Sequence, residues 1–224
     1  MTSQSLEPVE TITRDEALVL VVDDDAPLRG ALGNLFRSVG MRAALFCSAA
    51  ELLQYRLPDA PCCLVLDVRL RGQSGLDLQA HLRQSGIRVP IIFMTGYGDI
   101  AMTVAAMKAG AEDFMAKPFR DQDLLDAVSA ALEKDRRRRE GMRRAQALRS
   151  SFETLTPRES EVMALAASGL MNKQIAGRVG ISEVTVKIHR GQAMRKMKAR
   201  TFADLVLMAQ QLGVCHVDLL ATPG

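Results

Sequence analysis

The sequence predicts an α/β front half and an all-α back half joined by a long helix. Three observations carry this reading. Five short apolar runs alternate with helix-patterned stretches over residues 17–132, and such alternation builds a parallel sheet covered on both faces. From Asp121 to Arg149 there is no proline, and only Gly141 interrupts the helical pattern. Residues 152–213 then hold four helical patterns joined by short connectors. The expected architecture is a five-stranded doubly wound parallel sheet, a helical linker and a four-helix unit.

The strands are expected at 17–22, 43–46, 62–66, 91–95 and 113–116. Their continuous apolar character fits burial on two faces. Helices are expected between them at 26–39, 48–55, 75–84 and 100–109, and another begins at Asp121. Its apolar positions are dense at first (Leu124, Leu125, Val128, Ala131, Leu132) and then thin out to Met142 and Leu148, while Arg136 to Arg139 run consecutively. That charge reads as a solvated helical linker rather than a nucleic-acid patch. In the back half, Thr156 suits an N-cap and Pro157 a first helical turn. Helices are expected at 157–168, 172–179, 183–198 and 202–212, with Gly180 ending the second and Ser182 capping the third. Helix, short glycine-containing turn and helix make a helix-turn-helix pattern. The boundaries follow: a tail at 1–16, the sheet domain at 17–132, the linker at 133–151, the helical domain at 152–213 and a tail at 214–224.

Composition narrows the classes. The chain has 224 residues, 48% hydrophobic, with no Trp, so its cores are aliphatic. No apolar run approaches the ~20 residues of a membrane span, and the polar first residues do not read as a signal peptide. The expectation is a cytoplasmic protein without a membrane partner. Cys47, Cys62, Cys63 and Cys215 form neither a zinc-spaced cluster nor a disulfide framework. Lys+Arg against Asp+Glu count 12 to 14 in residues 1–120, 8 to 6 in 121–150 and 9 to 6 in 151–224. A mildly basic back half suits a polyanionic partner.

Chemistry concentrates where the strands end. The first apolar run closes on Asp23-Asp24-Asp25, the third on Asp67, the fourth on Thr95 and the fifth on Lys117. In an open parallel sheet the carboxyl ends of the strands form the site. Two unit charges ~4 Å apart repel by about 4 kcal/mol at an effective dielectric of 20, so clustered carboxylates call for a cation. Oxygen-only ligands favour a hard ion such as Mg²⁺. Lys117 can neutralise phosphoryl charge and the Thr95 hydroxyl can donate to a phosphoryl oxygen. Asp25 reads as a helix cap.

Val21-Val22-Asp23-Asp24, Leu66-Asp67 with Ser74-Gly75, Met94-Thr95-Gly96 and Lys117-Pro118-Phe119 resemble the signatures of a two-component receiver domain, in order, over residues 17–132. The resemblance implies a flavodoxin-like fold in which Asp67 accepts a phosphoryl group from a sensor histidine kinase. It implies that Asp24, Asp67 and the backbone carbonyl of Arg69 hold Mg²⁺, with Asp23 acting directly or through water. Thr95 and Lys117 would contact the phosphoryl oxygens, Phe114 would be the switch aromatic, and the Lys117–Pro118 bond would be cis. Phosphorylation would alter the face made by residues 100–109 and 113–116 and promote a homodimer. Arg71 stands where the family usually has proline, and Arg69 and Tyr97 occupy positions that tune phosphoryl lifetime.

The helix expected at 183–198 has two faces. Val186, Ala193, Met194 and Met197 repeat at core spacing. Glu183, Val184, Lys187, Ile188, Gly191 and Arg195 share the other face, and its mixture of small, apolar and basic groups suits a major groove. Arg190, Lys196, Lys198 and Arg200 would flank the groove and contact phosphates, as would Asn172 and Lys173 at a helix start. His189 reads as a packing residue. Leu155-Thr156-Pro157-Arg158-Glu159, Asn172-Lys173-Gln174-Ile175-Ala176 and Val184-Thr185-Val186-Lys187-Ile188-His189-Arg190 resemble the LuxR-type DNA-binding domain over residues 152–213. With a receiver in front, the chain resembles a response regulator of the FixJ/NarL type. The partners this implies are an operator in double-stranded DNA, RNA polymerase and a second copy of the chain. Gly191 replaces a larger, often polar residue, which shifts readout toward Lys187, Ile188, Arg190 and Arg195.

Two other functions compete. A receiver answering to something other than phosphate would not need Asp67, Thr95 and Lys117 together. A phosphoaspartyl phosphatase needs a second acid two residues after its nucleophile, and that position is Arg69, so general acid catalysis lacks its acid. A transcription regulator, with activation the outcome the resemblance implies, is therefore expected in place of an enzyme.

Overall fold

The computed structural model describes residues 16–96, 104 and 106–215. In chain order the front elements are β1 (Leu18–Val22), α1 (Ala26–Ser38), β2 (Arg42–Phe46), α2 (Ala49–Gln54), β3 (Cys62–Asp67), β4 (Arg69–Leu70), β5 (Gln73–Ser74), α3 (Gly75–Gln84), β6 (Ile91–Thr95) and β7 (Asp113–Ala116). A helix α4 (Asp121–Glu153) follows, and then α5 (Pro157–Ala167), α6 (Asn172–Val179), α7 (Glu183–Lys196) and α8 (Phe202–Leu212). The chain divides into two compact units, Met1–Arg139 and Glu140–Gly224. Val104 and residues 106–108 are helical. Residues 100–103 and 105 of the helix expected at 100–109, Tyr97 and most of both tails lie outside the described residues, and Ala109 falls in the turn that follows.

The five long strands form one parallel sheet in the order β2-β1-β3-β6-β7. Successive strand residues point to opposite faces, and the core divides accordingly. Leu18, Leu20, Leu64, Leu66 and Phe93 pack on one side with Leu52 of α2 and Leu78 of α3. Val19, Val21, Val65, Ile92 and Met94 pack on the other with Phe36 of α1 and Leu124, Val128 and Leu132 of α4. The hairpin β4–β5, absent from the sequence reading, leaves Asp67 and returns to α3. Gly75 permits this return, because a Cβ there would lie 2.4 Å from the Asp67 carbonyl oxygen.

The charged stretch of α4 differs from expectation. Asp135 is fully buried. Its Oδ2 accepts the Cys62 amide at 3.0 Å, 73 residues away in sequence, and Arg139 Nε at 2.6 Å. Its Oδ1 accepts Arg138 Nε at 3.0 Å. Lys134 pairs with Glu112 at 2.6 Å and Arg139 with Asp59 at 3.4 Å. The first two turns beyond residue 132 therefore hold to the front unit instead of standing free in solvent. A buried carboxylate needs donors, and the arginines beside it supply them.

In the back unit, α5 opens with a capping box between Thr156 and Glu159. Val162, Leu165, Ile175, Val179 and Val186 join α5, α6 and α7 in one cluster. A second cluster joins Met163, Ala193, Met197 and Leu205, with Leu148 and Phe152 of α4 packed against it. Gly180 ends α6 at φ 72 and Ser182 caps α7, accepting the Thr185 amide at 3.1 Å. The third helix stops at Lys196 rather than 198, because Lys198 takes φ 58. Ala199 N–H bonds the Met194 carbonyl and Lys198 N–H that of Arg195, the paired closure of a Schellman ending. Lysine sits where glycine is usual, so no sequence signal marked that end.

Asp135→Ala should lower the stability of the front unit by about 3 kcal/mol, since it removes the buried carboxylate that two partly buried guanidinium groups and one amide share. Urea denaturation with hydrogen exchange read at the Cys62 amide checks this. Unchanged exchange there would show that the carboxylate does not anchor the strand.

Candidate functional site

Because β1 and β3 are adjacent and pair Val22 with Leu66, the residues that follow them, Asp23 and Asp67, emerge side by side. Asp23 is fully buried. Its Oδ1 accepts the Asp25 amide at 2.8 Å, and its carbonyl oxygen accepts Arg29 Nη1 at 2.6 Å. Asp67 is 8% exposed and its Oδ1 accepts the Arg69 amide at 3.1 Å. Lys117, just past β7, donates to Asp23 Oδ2 at 2.8 Å and to Asp67 Oδ2 at 2.9 Å. Burial works against the charged ammonium, but the two carboxylate hydrogen bonds outweigh it and hold the Lys117 pKa above its ordinary value. The Lys117–Pro118 peptide is cis.

One oxygen from each of Asp23, Asp24 and Asp67 lies within 4.8 Å of the others. Three hard oxygen donors at the end of a sheet fit a Mg²⁺-sized cation, which takes one or two carboxylates and completes its shell with water or phosphate. Asp24 is the more open of the three and carries an ion pair from Arg71 Nε to its Oδ2 at 2.8 Å. Thr95 is buried, and its hydroxyl donates to the Gly96 carbonyl at 3.2 Å. The Lys117 amide bonds the Thr95 carbonyl, which ties these two positions together. Phe114 is half-buried and packs against the cluster that holds Phe93 and Ala106.

In the back unit, α7 turns Val184, Lys187, Ile188, Gly191 and Arg195 to solvent, with Val184 70% and Ile188 54% exposed. These are unusually open positions for branched apolar side chains. Lys173 is exposed at the start of α6, and Lys198 is exposed beyond the end of α7. Arg190 and Asn172 are placed against each other, with Arg190 Nη1 3.4 Å from Asn172 Oδ1. The Arg190 guanidinium also lies 4.4 Å from the centre of the Phe202 ring. His189 is half-buried, and its Nδ1 has no hydrogen-bond partner among the described residues.

Lys196 departs from the phosphate-contact role expected of it. It bonds Glu159 Oε2 at 2.6 Å and the Thr154 carbonyl at 3.1 Å. Glu159 also accepts the Thr156 amide at 2.8 Å. Those donors, Lys196 first and the Thr156 amide next, hold the Glu159 carboxyl below its usual range. The charge of Lys196 is thus spent inside the unit, joining the end of α7 to the start of α5. Sequence alone gave no signal for this pair, because its members stand 37 residues apart.

Comparison with known proteins covers both units. Residues 19–129 match the response regulator receiver domain, and residues 153–209 match the bacterial regulatory proteins of the luxR family. Nodulation protein W of Bradyrhizobium diazoefficiens is 59% identical over 199 residues, 89% of this chain and 88% of that protein. Transcriptional regulatory protein FixJ of Azorhizobium caulinodans is 40% identical over 202 residues, 89% of this chain and 95% of that one. The solved structure of response regulator StyR is 46% identical, with a TM-score of 0.82 over 88% of this chain and 99% of that one.

Glu159→Gln should lower the unfolding temperature of the back unit near neutral pH by several degrees. A carboxyl whose pKa is depressed on folding stabilises above its unfolded pKa of about 4.3 and loses that contribution as pH falls through the folded value. The gap between variant and parent should therefore narrow progressively as pH falls below the unfolded value of about 4.3. Thermal melts across pH 3–7 check this, and a gap independent of pH would mean the glutamate acts through shape alone.

Proposed function

The chain belongs to the response regulators that join a receiver domain to a LuxR-family DNA-binding domain, and on that premise we propose that a phosphoryl group accepted on Asp67 controls its occupancy of DNA. The observation that carries this reading is the convergence of Asp67 and Asp23 on Lys117 at the carboxyl end of the sheet. The arrangement leaves a nucleophilic carboxylate beside a fixed cation.

A carboxylate oxygen of Asp67 attacks the phosphorus of a phosphohistidine on the sensor kinase. The new O–P bond forms as the P–N bond breaks, and the imidazole leaves with the electron pair. Asp23, Asp24 and Asp67, with the Arg69 backbone carbonyl, would hold Mg²⁺, which when bound neutralises charge on the phosphoryl oxygens. Lys117 offsets the added charge of about −1.5 to −2. The Thr95 hydroxyl leaves the Gly96 carbonyl for a phosphoryl oxygen, and Phe114 moves into the space behind it. That alters the face around β7 and favours a homodimer. Arg69 stands where a phosphatase needs its acid, so the chemistry ends at self-phosphorylation and its reversal. The receiver occupies 17–132, the linker runs through 133–151 with its first two turns anchored on the receiver, and the DNA-binding domain is 152–213.

In that domain Val184, Lys187, Ile188 and Arg195 read base edges, with Gly191 leaving room between them. Asn172, Lys173, Arg190 and Lys198 meet phosphates. Recruitment of RNA polymerase in the cytoplasm, with activation as the output, completes the reading. It agrees with the absence, among the described residues, of any helix long and apolar enough to cross a membrane.

Two experiments test it. Asp67→Asn should abolish labelling by acetyl phosphate in the presence of Mg²⁺, and undiminished labelling of the variant would remove Asp67 as acceptor. Lys187→Ala should weaken operator binding by about 1–3 kcal/mol if Lys187 reads a base. Equal losses on operator and random DNA, measured by electrophoretic mobility shift, would reassign it to the phosphate backbone.

A further inference from the structure

The three acids at the sheet end do not share one counter-ion. Lys117 serves Asp23 and Asp67. Asp24 is served by Arg71, which reaches it from the turn between β4 and β5 at 2.8 Å. Two cations of the chain thus face three carboxylates, and the second comes from a position the turn does not require to be arginine. Gly72 at φ 83 has the backbone that a type II turn needs at its third residue. The position before it suits proline or most other residues. The Arg71 side chain is 90% exposed, so packing does not demand it either.

Asp24 is also the acid with room for an exchangeable partner. Its side chain is 22% exposed, against 0% for Asp23 and 11% for Asp67. An exposed monovalent pair of this kind is weak, whereas a divalent ion gathers all three carboxylates at once. Both draw on the Asp24 carboxylate, and their like charges repel.

We propose that Arg71 is a displaceable counter-ion for Asp24, which Mg²⁺ must expel, so that Arg71 sets the metal affinity of the phosphoacceptor site. The inference rests on the Mg²⁺ reading given above. It makes the receiver's readiness for phosphorylation require more free divalent ion than a neutral residue at the turn would demand. Arg71 is here a positioning residue, acting through Asp24 and not on the reacting atoms.

The test is Mg²⁺ binding to the full-length protein by isothermal titration calorimetry, with no phosphodonor present. Arg71→Ala and Arg71→Gln should each bind Mg²⁺ about two- to fivefold more tightly than the parent, the range expected for loss of one exposed competing ion pair. Asp24→Asn is the control for the site itself. Affinity unchanged or weakened in both Arg71 variants, while Asp24→Asn loses binding, would overturn the counter-ion role and leave the Mg²⁺ reading intact. Absence of Mg²⁺ binding by the parent protein would remove that reading, and the inference with it.

Discussion

The Lys117 ammonium, donating to Asp23 and Asp67 at once, is the interaction on which the front unit's site depends. It follows the edge strand β7, yet reaches past β6 to acids at the ends of β3 and β1. Without it, two neighbouring buried carboxylates would face each other at a cost of about 4 kcal/mol for charges ~4 Å apart at an effective dielectric of 20. The price of burying the ammonium is met by those same hydrogen bonds, which is why its pKa rises rather than falls. The lysine thus stabilises the fold and defines the site with one set of contacts. A change in charge on Asp67 must be felt at Asp23, and through the Lys117 amide at Thr95.

The back unit repeats this solution with different consequences. Glu159 is buried and takes Lys196 as its partner. Here the pair lies inside the structure and fixes how α7 meets α5. Not every basic group near an exposed helix face is therefore available to an anionic partner. Lys187 and Arg195 stand outward, while Lys196, adjacent in sequence to Arg195, is consumed internally. Local charge counts overstate the positive surface by that amount.

Much of the sheet and its site was legible because the signal is local. Apolar runs ending on Asp23, Asp67, Thr95 and Lys117 declare both the strands and what they carry, and parallel connection brings their ends together. The helices of the back unit were legible through Thr156, Gly180 and Ser182, whose capping chemistry is written in adjacent residues. What escaped was long-range or against the usual pattern. Asp135 sits in a run of charge and reads as solvated, yet its partner amide is in Cys62. Glu159 opens α5 and Lys196 closes α7, 37 residues apart. Lys198 ends a helix in a conformation that sequence rules assign to glycine. Arg71 was visible as a departure from family pattern, but the carboxylate it meets lies 47 positions away in sequence and is brought to it only by the fold.

Arg190 carries a last consequence. Its guanidinium rests on the Phe202 ring and points toward Asn172, so a long side chain has already given up most of its rotational freedom. Ordering such a side chain at an interface ordinarily costs about 0.5–1.5 kcal/mol. Here that entropy is surrendered when the domain folds, and association with any partner that meets Arg190 begins from a side chain already in place.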